Sequence, residues 1–170
     1  MRGAGFGPAT RVFPPRELGE ATTLSPVPTD ARDPDLSDIW LFASCSAREL
    51  RALRRALDVV TVGPGRVLCE EGEIGREFFV VVDGQASVRV HGRRVAVLGP
   101  GDHFGELALL DRRPRSATVT SETEMELLVL AQREFNGLLD EVPALSRKLL
   151  HAMAGRLRAA DSRAPALISH

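Results

Sequence analysis

The chain has 170 residues, 44% hydrophobic and 26% charged, enough for one domain with its own core. A net charge of −1 sets up no global field for nucleic acid or an anionic membrane. Its two cysteines, Cys45 and Cys69, form no C-x-x-C and no His/Cys cluster, which argues against a disulfide framework or structural zinc and for reduced thiols in a cytoplasm. The apolar runs are too short to span a bilayer, and the opening MRGAGFGPATRVFPP lacks the apolar core of a signal peptide.

Residues 1–35 carry Pro8, Pro14, Pro15, Pro26, Pro28 and Pro34 without helical or strand period. Such a segment cannot bury enough surface to offset its ordering entropy and is expected to be a disordered arm. A helix follows. Ser46 and Glu49 form a capping box, and Leu50, Leu53 and Leu57 share one face, with Arg48, Arg51, Arg54 and Arg55 around the others. From Val59 to Leu130 the period changes to short β-rich runs, punctuated by glycines at 63, 65, 72, 75, 84, 92, 101 and 105, with turn signals every eight to ten residues. That pattern predicts an antiparallel sandwich or closed roll. Two hairpins are expected, FFVVV-DG-QASVRV and ASVRV-HG-RRVAVL, each on a two-residue turn. The second sets Val90 opposite Arg93, Val88 opposite Val95 and Ala86 opposite Val97, so Ala86, Val88, Val95 and Val97 should all face inward. Two helices close the chain, AQREFNGLLDE and VPALSRKLLHAMAGRLRAAD, the latter with Pro143 in its first turn and a stripe of Leu145, Leu149, Met153 and Leu157. Residues 162–170 read as an irregular tail.

The stretch FGELALLDRRPRSATV, residues 104–119, interrupts the β region with one helical turn. A helix start has unpaired N–H groups and a positive partial charge. Gly105 leaves that approach open, so the amides of residues 106–108 can bind a phosphate. A helix end alone contributes about 0.3–1 kcal/mol. Arg115, nine residues after Glu106, adds the full counter-charge in charge-assisted bonds of about 1.5–3 kcal/mol each, and Ser116 adds a hydroxyl. Glu106 would repel a phosphate and suits a sugar hydroxyl instead, as the acidic residue of dinucleotide sites does. A phosphate clamp beside a sugar-reading carboxylate implies a nucleotide.

FGELALLDRRPRSA, together with VGPGRVLCEEGEIG, VVDGQASV, LGPGDHFGE and the preceding IWLFASCSARELRAL, resembles the cyclic nucleotide-binding domain family over residues 36–161. The resemblance implies an eight-stranded antiparallel β-roll with an N-terminal helix, a short phosphate-cassette helix and C-terminal helices. It implies that Phe104, Gly105, Glu106, Leu107, Ala108, Arg115, Ser116 and Ala117 surround the cyclic phosphate and ribose, and that Val88 and Val95 wall the sugar and base. Family members with Thr at the position of Ser116 often favour cyclic GMP, so Ser116 points to cyclic AMP first and cyclic GMP second.

The implied role is a non-catalytic sensor without metal or other cofactor. A cupin-like enzyme would place several histidines inside the roll, and only His103 of the four lies near the cassette. The apolar stripe and Arg156 are expected to cover the base, with Leu149, Met153, Arg156 and Leu157 as the lid; family members commonly swing this helix in. The same helix could pair with a second copy. The alternative reading is thus a dimerising or partner-binding module, or a remnant of a transcription regulator, with little nucleotide response. A DNA-reading helix-turn-helix needs two further helices, and nine residues follow Asp161. Sequence-specific DNA binding and membrane association are therefore not expected. An unidentified protein partner is.

Overall fold

The computed structural model describes residues 34–163. The expected disordered arm, save Pro34 and Asp35, and residues 164–170 of the expected tail lie outside them.

Two 3-10 turns, Leu36–Asp38 and Trp40–Phe42, lead into helix α1, Ala47–Ala56. Ser46 accepts from the Glu49 amide and Glu49 accepts from the Ser46 amide, closing the capping box. Leu53 and Leu57 are buried.

Eight strands then form two four-stranded antiparallel sheets: β1 (Asp58–Val62), β2 (Val67–Cys69), β3 (Glu77–Asp83), β4 (Ala86–Val90), β5 (Arg93–Leu98), β6 (His103–Phe104), β7 (Thr118–Ser121) and β8 (Met125–Ala131). The order is β1-β8-β3-β6 in one sheet and β2-β7-β4-β5 in the other. The chain changes sheet at every connection between consecutive strands except the β4–β5 hairpin, as a roll requires. Helix α2 (Glu106–Leu110) is set between β6 and β7, and α3 (Gln132–Glu141) and α4 (Pro143–Arg163) follow β8. Helix α4 thus runs on past residue 161, where the sequence suggested a tail.

Both strand-pairing expectations change. FFVVV-DG-QASVRV is not a hairpin, because β3 pairs with β6 and β8 while β4 pairs with β5 and β7. Asp83-Gly84 instead turns the corner from one sheet to the other. Gly84 has φ 87°, and a Cβ there would lie 2.3 Å from the Glu124 carbonyl of the neighbouring corner, so only glycine fits. The β4–β5 hairpin does form, on a His91-Gly92 turn with φ of 49° and 76°, the signs a type I′ turn needs. Its register shifts, however. Arg89 faces Arg94 but Val88 faces Ala96, Ser87 faces Val97 and Ala86 faces Leu98. Val95 is the extra residue of a bulge. Ala86 is buried, with Val88 and Leu98 packed beside it, whereas Val95 and Val97 are exposed at 54% and 46%.

The central strands have apolar side chains on both faces. Phe79, Val81, Leu127 and Val129 fill the roll with Val62, Phe104 and Val119. Their neighbours Phe78, Val80, Leu128 and Leu130 point the other way, into a second core with Leu41, Phe42, Leu53, Phe135, Leu138, Leu145 and Leu149. This alternation explains why FFVVV and LLVL are unbroken apolar runs rather than alternating ones. Leu145 and Leu149 are therefore committed to the helical core. The apolar stripe of α4 is not one free surface.

Candidate functional site

The cassette begins where β6, paired to β3, passes through Gly105 into α2. Gly105, φ 93°, caps α2 in the left-handed conformation, and a Cβ there would lie 2.7 Å from Arg115 Nη1 and 2.8 Å from the Glu77 carbonyl. Position 105 thus requires glycine for both conformation and space. The turn that follows places Glu106 inward at 1% exposure, with Ala108 and Leu109 also buried and Leu107 exposed. Phe104 stacks on Phe79 with ring centroids 4.7 Å apart, fixing the strand that delivers Gly105.

Arg115 is 7% exposed and held from both ends. Nη1 donates to the Gly105 carbonyl at 2.9 Å and Nη2 to the Glu77 carbonyl at 2.8 Å, with the Glu77 carboxylate 3.5 Å from Nη2. Its backbone is pinned too, donating to the Glu73 carbonyl and accepting from the Gly72 amide. On the far side lies Gly75, where a Cβ would come within 2.4 Å of Arg115 Nε and Cζ. The guanidinium is sandwiched between two glycines, beside the start of α2. Two of its five N–H donors are taken by carbonyls, so others remain for an anion. Ser116 is exposed and Ala117 half-buried, just after it.

Glu106 faces helix α4. Arg156 Nη1 donates to Glu106 Oε1, and Arg156 Nη2 donates to the His103 carbonyl at 3.1 Å. The structure brings Arg156 of the expected lid to the cassette. Met153 is half-buried, and Leu157 is 64% exposed. His103 is buried under Phe78, ring centroids 5.8 Å apart. Burial pushes its imidazole below the ordinary histidine value; Glu106 and Asp102 oppose this and Arg156 adds to it. Val88 is half-buried opposite Val119 and Ala96, so the expected Val88–Val95 neighbours are not side by side. Among the described residues no group of three or more His, Cys, Asp or Glu is placed to hold a metal ion, and no helix is long and apolar enough to cross a membrane.

The holders of Arg115 escape sequence reading. Gly75 reads as one more turn glycine in EEGEIG, and Glu77 stands just before the FFVVV run with no signal of its own. Their partner is about forty positions away, and no local pattern joins them.

Residues 59–142 match the model of the cyclic nucleotide-binding domain. The cAMP-dependent protein kinase regulatory subunit of Schizosaccharomyces pombe is 33% identical over 121 residues, 71% of this chain and 29% of that protein. The catabolite activator protein of Thermus thermophilus superimposes with a TM-score of 0.66 at 30% identity, over 71% of this chain and 59% of that one. The N-terminal domain of a transcriptional regulator from Streptomyces coelicolor has a TM-score of 0.58 and 34% identity, over 75% of this chain and 92% of that one. The chain belongs to the cyclic nucleotide-binding domain family. It spans under a third of the length of the curated kinase subunit it matches.

Proposed function

We propose that this domain is a non-catalytic sensor that binds a cyclic mononucleotide, cyclic AMP in preference to cyclic GMP, and signals through α4 to a protein partner. The observation that carries this reading is the buried Arg115 guanidinium, held by the Gly105 and Glu77 carbonyls next to the first amides of α2. A cyclic phosphate there meets a full positive charge and free helix-start donors together. Glu106, buried beside that point, accepts the ribose hydroxyl. The S. pombe relative is named for cyclic AMP, and Ser116 supports the same choice.

The output follows from Arg156. It ties the distal half of α4 to Glu106, so the ribose acceptor and the helix share one carboxylate. A carboxylate has about four lone-pair sites and can accept from both at once, which draws α4 over the base with Met153 at the contact. Val88 lines the opposite side.

Calorimetric titration with cyclic AMP and cyclic GMP tests the reading. Saturable binding, tighter for cyclic AMP, is expected; absence of binding with either nucleotide would remove it, and tighter cyclic GMP binding would reverse the preference. A second reading rests on a separate observation. Leu150 and Leu157, seven residues apart on α4, are 65% and 64% exposed, a spacing that returns to one helix face. They fit pairing of two copies through α4. Gel filtration with and without nucleotide separates a dimer from a monomer.

A further inference from the structure

Among the buried side-chain nitrogen and oxygen atoms of the described residues, one makes no hydrogen bond. His103 Nε2 is shielded from solvent and makes no hydrogen bond, an arrangement that folded proteins rarely tolerate without use. It lies 4.0 Å from Glu106 Oε1, beyond hydrogen-bond range but within reach of a small side-chain adjustment. That oxygen is the one Arg156 holds. Arg156 also takes the carbonyl of His103 itself, so one half-exposed guanidinium spans the two buried residues. The charged groups acting on the imidazole are Glu106 on α2, Arg156 on α4 and Asp102 in the preceding turn; β3 presents the uncharged Phe78 ring.

We infer that His103 is a positioning residue for Glu106, and that its Nε2–H takes over the carboxylate oxygen when Arg156 lets go. The physical need is clear. Glu106 is almost wholly buried, and with Arg156 withdrawn its charge has no counterpart, a costly state in a protein interior. A neutral imidazole can donate one hydrogen bond to it; an imidazolium brings a full opposite charge. Arg156 and a protonated His103 meet at the same oxygen, and their like charges repel, so protonation weakens the Arg156 hold. Proton uptake by His103 accompanies release of the distal half of α4. By linkage, lowering the pH through the His103 midpoint loosens that half of the helix, and raising it restores the Arg156–Glu106 pair. The consequence for nucleotide affinity rests on the ribose role proposed for Glu106. The coupling itself needs no ligand.

The test uses the ligand-free domain, followed by two-dimensional NMR across a pH titration. The imidazole of His103 and the amides of residues 155–158 should change with one common midpoint. In His103→Gln, which keeps a side-chain donor but cannot titrate, those amides lose that transition. In Glu106→Gln, which removes the contested charge, they also stop following His103. In Arg156→Ala the His103 midpoint moves up. Because His151 sits on α4 itself, His151→Gln serves as the control and should leave the transition in place. A transition at residues 155–158 that survives in both His103→Gln and Glu106→Gln overturns the inference, as does an Arg156→Ala variant whose His103 midpoint is unmoved. Neither outcome bears on whether the domain binds a nucleotide, which the calorimetry decides separately.

Discussion

At the scale of single residues, the site turns on how Arg115 is held. Arg115→Ala should cost cyclic AMP binding about 2–5 kcal/mol, because the phosphate is left desolvated without its counter-charge. Arg115→Lys should recover only part, lacking the planar fork. An alanine variant within about threefold of the parent affinity, or roughly 0.6 kcal/mol, would show that the phosphate sits elsewhere. Gly75→Ala probes the same guanidinium from behind. Its new Cβ would occupy space 2.4 Å from Arg115 Cζ, so the arginine must leave its two carbonyls. We expect nucleotide affinity to fall by about tenfold, near 1.4 kcal/mol, and calorimetry on this variant checks it; unchanged affinity would mean that Gly75 only shapes the loop. Thiol chemistry gives an independent reading of the roll interior. Burial pushes the Cys69 thiol up to about 11, while Cys45 is only half-buried, its thiol raised chiefly by burial. Only a thiolate attacks an alkylating reagent. Mass spectrometry of the native protein after brief iodoacetamide treatment should find Cys45 modified before Cys69.

At the scale of elements, α4 divides in two. Leu145 and Leu149 lie in the helical core, whereas beyond Met153 the helix is tied to the cassette through Arg156. Amide exchange should reflect this division. Residues 145–149 stay protected with or without ligand, and saturating cyclic AMP slows exchange in residues 153–158. Equal protection of the distal segment in both states, while the cassette responds, would place the switch elsewhere. The elements also show what a sequence can and cannot reveal. The cassette was legible because its residues are contiguous: a glycine, a carboxylate, a helical turn and an arginine at fixed spacing. The His91-Gly92 turn was legible for the same reason. The register beyond it was not, because the bulge at Val95 has no residue signature and one added residue moves the following side chains to new partners. Asp83-Gly84 misled in another way. A two-residue hairpin and a corner between sheets both need a glycine at positive φ, and which one forms is decided by the Glu124–Met125 backbone pressed against Gly84, forty residues downstream.

At the scale of the whole molecule, one sheet separates two cores, and the buried histidine reports on their shared stability. The folded-state value of His103 is depressed below the ordinary 6.5. Its stabilising contribution is therefore fully present above that unfolded value and is lost as the pH falls through the folded one, because the unfolded chain takes up the proton first. The thermal midpoint should be lower at about pH 5.5 than at about pH 7.5, and His103→Phe should flatten part of that slope. A slope identical in the variant would assign it to other groups. The two-sided sheet itself was only half legible. The unbroken runs FFVVV and LLVL announce strands covered on both faces, but which residue enters which core depends on the sheet order, and that order is set by contacts far apart in the chain.

The sandwiching of Arg115 between Gly75 and Gly105 has a consequence for time rather than for affinity. A guanidinium already fixed by two backbone carbonyls need not be gathered from solvent when a ligand arrives, so little ordering entropy is spent at capture. Loading should therefore be rapid and nearly independent of the cassette's own rearrangement, and differences between ligands should appear in how long each one stays. Residence would be governed by the distal half of α4. On the function proposed above, such a domain fills as soon as its ligand appears and empties at a pace set by a single helix.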